Sequence, residues 1–222
     1  MNYFNLITNR KNKRKKYNLS FFEQLFLRYL ISIKELPDEY QEVEYIESTG
    51  TQYIDTGFIP NQDTKVYAKI KTTTLPSGNK TIFGSRTSAS QNHYGATIAT
   101  NWYTGYGSQN KNTNWIATVD TEYIIKKEKE KFILNDNETT QNITEFTCPG
   151  NMYIFAMNQL DSVIAYSPIK LYYLKIYDND TLIRHFIPCY RKSDDEIGLY
   201  DLVEKTFYSN DGTDVFLKGD NI

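Results

Sequence analysis

The alternation of apolar and polar positions predicts a protein built mainly of β-strands. In residues 64–74, the apolar side chains of Val66, Ala68 and Ile70 alternate with charged or aromatic ones. This period of two is expected of a strand with one buried face. Residues 169–177 are a run of β-branched and aromatic residues of strand length, which is the composition that suits a pleated sheet. Both segments therefore predict strands.

Turn signals separate the predicted strands. Residues 178–180, Asp-Asn-Asp, form a turn cluster before a second apolar run at 182–187, which together predict a β-hairpin. Residues 135–138 predict another hairpin turn, and residues 151–157 are the most apolar strand and are expected near the centre of a sheet. We count about twelve to fourteen short strands with turns about every 8–12 residues, which predicts an all-β sandwich or barrel.

One segment before these strands has the pattern of a helix. In residues 20–33, Ser20 and Glu23 fit a capping box. The apolar residues at helical spacing, which we predict to serve attachment, are Phe22, Leu25, Phe26, Tyr29, Leu30 and Ile33. So broad an apolar face must be buried against the chain's own body, sister subunits or a larger assembly, with an interfacial membrane helix as the rival. The helix is too short and too charged to span a membrane. Between burial against protein and the interfacial alternative, we favour burial against protein.

A basic run precedes the predicted helix between Arg10 and Lys16. It is either a solvated tail or an attachment to phosphate, on nucleic acid or on anionic lipid, and the sequence leaves these alternatives open. The formal net charge of the whole chain is −2, so we expect no sequence-specific nucleic-acid partner.

Cysteine and histidine are too few and too scattered to predict a metal site. The chain has two cysteines, Cys148 and Cys189, and two histidines, with no CxxC spacing. One disulfide is an alternative, but we favour two buried free thiols, because no secretion signal is evident. We predict no cofactor.

The best candidates for ligand binding lie in and just after residues 88–114, which are rich in Ser, Thr, Asn, Gln and Gly. Sugars present flat C–H faces that stack on aromatic rings, while amides bond their hydroxyls. The predicted carbohydrate-binding residues are Trp102, Tyr103, Tyr106, Trp115, Asn101 and Asn114. The alternative is that these aromatic residues fill the core or a subunit interface, because aromatic residues make up 15% of the chain.

Catalysis is disfavoured by the placement of the acidic residues. Glycoside hydrolysis needs two carboxylates facing one groove. The candidates Glu42, Glu44 and Glu47 lie on what should be the first, edge strand. A Ser-His-Asp arrangement would need His93 or His185, and we expect the latter to be packed or on the surface. We therefore predict no catalytic residues and no enzyme.

Three segments resemble a known module: LPDEYQEVEYIESTGTQYIDTGF (residues 36–58), TIFGSR (81–86) and the stretch from Tyr172 to Asn210. They resemble a concanavalin A-like, laminin G-like jelly roll over about residues 37–218. The resemblance implies a two-sheet antiparallel jelly-roll sandwich whose first and last strands pair, here preceded by the short N-terminal α-helix. Some relatives bind calcium through loop carboxylates, but no Asp-rich loop of EF-hand type occurs here.

The resembled module is frequent in virion proteins of phages that infect gut bacteria and in surface proteins of those bacteria. It implies a virion protein, a tail, fibre or decoration component, that binds host surface carbohydrate through residues 37–222 and forms homo-oligomers. Residues 1–36 are then expected to attach the module to other virion proteins. The alternatives are a purely structural virion protein, a glycoside hydrolase and a lectin on the bacterial cell surface. The last is disfavoured by the lack of an evident signal peptide or wall anchor.

Overall fold

The computed structural model describes residues 36–74 and 77–222, and within these ranges all regular structure is β-strand. The prediction of an all-β fold is therefore confirmed for this part of the chain. The predicted helix at residues 20–33 and its attachment residues lie outside the described residues, as does the basic run.

Eleven strands form the larger of two sheets. Eight of them are hydrogen-bonded in the order β11-β10-β9-β4-β15-β16-β17-β18. Outside this order, β1 pairs with β16, and β2 pairs with both β15 and β19. The strands are β1 (Tyr40–Glu42), β2 (Ile46–Glu47), β4 (Thr64–Thr72), β9 (Glu122–Glu128), β10 (Lys131–Leu134), β11 (Asn137–Thr140), β15 (Ile169–Asp178), β16 (Thr181–Arg191), β17 (Glu196–Asp201), β18 (Thr206–Tyr208) and β19 (Leu217–Lys218). Every pairing in this sheet is antiparallel.

Eight strands form the smaller sheet, in the order β14-β13-β5-β6-β7-β8, with β12 joining β5 to β3. They are β3 (Ile54–Asp55), β5 (Lys80–Arg86), β6 (His93–Ile98), β7 (Asn101–Gly107), β8 (Gln109–Ile116), β12 (Tyr153–Ile154), β13 (Met157–Gln159) and β14 (Ser162–Ile164). The pairing of β13 with β5 is parallel and the others are antiparallel.

A single hydrophobic core joins the two sheets into a sandwich. Val66 and Ile70 of the larger sheet and Phe83 and Trp102 of the smaller sheet belong to one buried cluster. Segments near the two ends of the described chain also pair, because β2 is antiparallel to β19. The expected pairing of the first and last strands is met only in part: the last strand, β19, pairs with the second strand, β2, whereas the first strand, β1, pairs with β16.

The predicted alternation and the predicted hairpin are confirmed. In β4 the side chains alternate between buried and half-buried along the whole strand. Strands β15 and β16 form a hairpin, and its turn residues Asn179 and Asp180 adopt φ angles of 44° and 68°. Asn and Asp tolerate this left-handed backbone better than most residues, which is why the cluster breaks the strand here.

The prediction of one central strand at residues 151–157 was wrong. The chain forms two short strands there, β12 antiparallel and β13 parallel to β5. Phe155, between them, has φ of 68°, a left-handed conformation that interrupts a strand. Residues 152–157 are nevertheless buried. The apolar composition therefore predicted the burial of this segment correctly, but not the break between its two short strands.

The core also holds one lysine. Lys127 of β9 is fully buried, and its Nζ donates to Thr104 Oγ1 at 3.0 Å and lies 4.9 Å from the ring centre of Tyr94. Burial lowers the pKa of Lys127 to about 7, because the charged form loses its hydration.

Both cysteines are buried free thiols, as the sequence favoured. Cys148 belongs to the main core and Cys189 to a separate cluster with Leu36, Tyr40 and Tyr200. Desolvation raises the pKa of each thiol to about 12. Because the thiolate is the reactive form, both thiols are protected in the folded protein.

Candidate functional site

The aromatic residues of β7 that were predicted to bind carbohydrate lie on opposite faces of the strand, because successive side chains point to opposite sides of the sheet. Trp102 and Tyr106 point between the sheets and are 0% and 1% exposed. Trp102 packs edge-on against Tyr123 at 4.9 Å between ring centres, and Tyr106 donates to the carbonyl of Gln62. Neither ring has a face that a sugar can reach, so the structure corrects the prediction for these two residues. They are core residues, the alternative that the sequence left open.

The other four predicted residues lie nearer the surface but do not form one platform. Trp115 stacks on Phe132 with 6.0 Å between ring centres, which covers one face of the indole. Tyr103 is half-buried and accepts a hydrogen bond from Asn112 Nδ2. Asn101 begins β7 opposite Ile116.

Asn114 is exposed and has φ of 62°, next to a register irregularity between β7 and β8. Tyr103 and Asn101 are thus half-buried and Asn114 is exposed, in contrast to the enclosed Trp102 and Tyr106.

A concave site lies elsewhere, on the outer face of the larger sheet. It is a groove of about 380 Å³, within the range of about 300–1,000 Å³ seen for small-molecule sites. Its described lining residues are tyrosines, lysines, isoleucines, a histidine and a glutamate, namely Glu42, Tyr67, Ile124, Lys126, Tyr172, Tyr173, Lys175, Tyr177, His185 and Ile187. We refer to it below as the outer groove.

The floor of the outer groove is a row of side chains across four adjacent strands. Lys126 of β9 is opposite Tyr67 of β4, Tyr67 is opposite Lys175 of β15, and Lys175 is opposite His185 of β16. Residues opposite one another in neighbouring strands project from the same face and contact each other. The strand register thus brings residues far apart in the chain into one line.

A β-bulge enriches this face in tyrosine. On β15, Leu171 is opposite Ile70 and Tyr173 is opposite Lys69, so Tyr172 is an extra residue in the ladder. A bulge of this kind breaks the strict alternation of side chains. Tyr172 and Tyr173 both line the outer groove as a result, while Leu171 on one side and Leu174 on the other remain in the core.

Most of the tyrosines at the groove are held by neighbours, whereas Tyr173 is not. Tyr67 and Tyr177 pack with 5.3 Å between ring centres, and Tyr67 donates to the carboxylate of Glu128. Tyr172 lies edge-on to Tyr45 at 5.7 Å. Among the described residues, Tyr173 has no ring partner and no side-chain hydrogen bond, and it is half-buried at the groove, so its ring is the best candidate for stacking.

The hydroxyls of Tyr67 and Tyr172 stay protonated around neutral pH, because their pKa values are raised. Burial, together with Glu122, raises the pKa of Tyr172 to about 12. Burial and the hydrogen bond to Glu128 raise the pKa of Tyr67 further. The hydrogens of these two hydroxyls are directed at Glu128 and Glu122, so toward a hydroxyl-bearing ligand the phenol oxygens act as hydrogen-bond acceptors.

The acidic residues weighed as catalytic candidates are dispersed. Of Glu42, Glu44 and Glu47, only Glu42 lines the outer groove, and it is the only carboxylate among the described lining residues. Glu44 is exposed, and Glu47 lies 3.8 Å from Lys170 Nζ. The pair of facing carboxylates required for glycoside hydrolysis is therefore not formed by these three residues.

His93 is fully enclosed, in contrast to His185 at the groove. Its Nδ1 lies 3.2 Å from the carbonyl of Ala89, and burial lowers its pKa to about 3. Within residues 36–74 and 77–222, no three His, Cys, Asp or Glu side chains converge as metal ligands would, and no helix is long and apolar enough to cross a membrane.

Comparisons with known proteins add nothing to this geometry. No protein-family model matches the sequence, and no curated protein matches it either.

Proposed function

We propose that this chain is a carbohydrate-binding protein and that the outer groove holds a segment of a sugar chain. The observation that carries the proposal is the unpaired ring of Tyr173 within a groove whose other described lining residues include three tyrosines and the two lysines Lys126 and Lys175. A sugar ring stacks its C–H face on an aromatic ring and needs hydrogen-bond donors for its hydroxyls. The groove supplies both.

The shape of the site also favours an extended ligand. The groove is open along the face of the sheet rather than enclosed, and its floor crosses four strands from Lys126 to His185. Adjacent strands lie about 4.8 Å apart, so this row extends over roughly 14 Å. A row of that length suits several sugar units of a polysaccharide better than a single small molecule.

We further propose that the protein acts on a phage virion, as a jelly-roll fibre, decoration or tail component. The resemblance of residues 36–58, 81–86 and 172–210 to jelly-roll modules of phage proteins supports this location. Residues 1–36 would attach the sandwich to other virion proteins. Binding at each copy is expected to be weak and to become useful when many copies are displayed together.

The test is binding of the full-length chain, displayed multivalently, to a panel of envelope polysaccharides from gut bacteria. We expect saturable binding to at least one polysaccharide and its loss on Tyr173→Ala. The matched control is Tyr103→Ala, which removes a half-buried tyrosine from the outer face of the other sheet. If Tyr103→Ala abolished binding and Tyr173→Ala did not, the binding site would instead lie near residues 101–115, as the sequence analysis predicted.

Two further outcomes lead to other functions. If no polysaccharide binds at high valency, carbohydrate binding is excluded, and a purely structural virion protein becomes the leading interpretation. If a polysaccharide is cleaved and Glu42→Gln abolishes the cleavage, the protein is a glycoside hydrolase with Glu42 in its site.

A further inference from the structure

We propose that the outer groove selects acidic polysaccharides, in which sugar units carry carboxylate, sulfate or phosphate groups. This inference rests on the proposed function and names the ligand class of the same site. It follows from how the lysines on this face of the sheet are paired, and from which of them are not.

Four lysines near the outer groove, outside its lining, each lie beside a carboxylate. Lys65 forms an ion pair with Asp180, Lys69 with Glu122 at 2.9 Å, and Lys71 with Asp120 at 3.7 Å. Lys170 lies 3.8 Å from Glu47 on the same sheet. These four ammonium groups already have an anionic partner within the protein and gain little by binding another.

Lys126 and Lys175, which line the groove, have no such partner. In the part of the chain that the structure describes, neither side chain forms an ion pair or a hydrogen bond. They project from β9 and β15 on either side of Tyr67. Two unpaired positive charges in one groove favour a ligand that brings negative charges.

The spacing of the two lysines suits a chain rather than an isolated anion. One strand separates β9 from β15, so the two backbones lie about 10 Å apart, twice the spacing of neighbouring strands. Tyr67 lies between them, and the accessible ring of Tyr173 lies beside Lys175 on the same face. A sugar ring on the tyrosines can therefore place charged substituents near both ammonium groups.

The negative group at the groove does not cancel this pattern. Glu42 is on β1, which pairs only with β16 and with neither strand that carries the lysines. Along β16, Glu42 lies opposite Cys189 and Lys175 lies opposite His185, so four residues, about 13 Å of strand, separate the positions of the two charged residues. Of the described lining residues with formal charge at neutral pH, two are positive and one is negative.

The experiment measures binding of the full-length chain to immobilised polygalacturonate, dextran sulfate and neutral dextran, with methyl-esterified polygalacturonate as the uncharged match to the first. The first two probes separate carboxylate from sulfate recognition. We expect binding to one or both anionic polymers and at least tenfold weaker binding to the esterified and neutral ones. Raising the salt from 50 to 500 mM is expected to weaken binding, because exposed charges are screened.

The decisive variant is Lys126→Gln with Lys175→Gln, which we expect to weaken binding of the anionic polymer about tenfold or more. The matched control is Lys111→Gln with Lys205→Gln, which removes two exposed positive charges outside the groove. An equal loss with both double variants would mean that net charge alone acts, and would overturn the assignment to the groove.

Failure of this inference can be told apart from failure of the proposed function. Binding of neutral and acidic polysaccharides alike, lost on Tyr173→Ala but unchanged in the lysine variant, overturns the acidic selectivity and leaves carbohydrate binding intact. Absence of binding to every polysaccharide overturns both. If the lysine variant instead changes only the oligomeric state in sedimentation, the groove joins copies of the chain and the inference is wrong.

Discussion

The outer groove and the hairpin of β7 and β8 are both rich in aromatic and polar residues, yet they differ in what they expose. In β7 the large rings fall on alternate positions, so Trp102 and Tyr106 enter the core together. In β15 a bulge interrupts the alternation and leaves Tyr172 and Tyr173 both at the groove. The same residue types therefore serve packing in one sheet and an accessible surface in the other, and backbone register decides which.

The largest expected effect is on the stability of the small sheet. Trp102→Ala removes a fully buried indole and should lower the free energy of unfolding by about 3–5 kcal/mol. Urea unfolding followed by circular dichroism measures this. The neighbouring change Tyr103→Ala should cost much less, since Tyr103 is only half-buried. Equal costs for the two changes would contradict the alternation described for β7.

A pH-dependent contrast is expected between two adjacent residues of β9, Lys127 in the core and Lys126 at the groove. The pKa of Lys127 is about 7 in the folded protein and 10.5 is its ordinary value. Between these values the unfolded chain binds more protons than the folded one, so stability rises with pH. The slope approaches about 1.4 kcal/mol per pH unit.

The variant Lys127→Met should remove this contribution, whereas Lys126→Met should leave it. The comparison is made by urea unfolding between pH 7 and 9, and the quantity of interest is the difference in slope from the unchanged protein. The cysteines of the unfolded chain also ionise in this range, but their contribution is the same in both proteins and cancels in the difference. The same slope in the protein and in Lys127→Met would show that the pKa of Lys127 is not lowered in the folded protein.

The smallest expected effect on stability concerns the accessible ring of the groove. Tyr173→Ala should change the free energy of unfolding by less than about 1 kcal/mol, because the ring has no aromatic or hydrogen-bonding partner among the described residues. Trp115→Ala should cost more, since the indole stacks on Phe132. With binding to polysaccharide as the second measurement, Tyr173→Ala should affect binding and Trp115→Ala stability. If Tyr173→Ala reduced stability and Trp115→Ala reduced binding instead, the assignment of Tyr173 to ligand binding and of Trp115 to packing would be wrong.

Local patterns in the sequence predicted a large part of the fold. Three features could be predicted from the sequence: the alternation in β4, the hairpin of β15 and β16, and the burial of both cysteines. Each depends on residues close together in the chain or on composition. The candidate site was not predicted. Aromatic content pointed to residues 101–115, but content does not say which face of a strand a side chain occupies.

The sequence around Tyr172 contains a pattern that indicates the bulge. In Leu171-Tyr172-Tyr173-Leu174, two consecutive positions separate the apolar residues where strict alternation requires one. That spacing is what an inserted residue produces. The interruption at Phe155 had no comparable signal, because every residue from 152 to 157 is apolar or small enough to be buried in either conformation.

By itself, the sequence determined that this protein is a β-protein with a large aromatic core, since period-two alternation and turn residues act locally. Only the tertiary structure decided that Tyr67, Lys126 and Lys175 form one row, and that Lys126 faces outward while Lys127 is enclosed. The physical reason is that strand pairing is non-local: a register shift of one residue exchanges the two faces of a strand. The register also determines which lysines of this face lie beside a carboxylate and which do not, among the described residues.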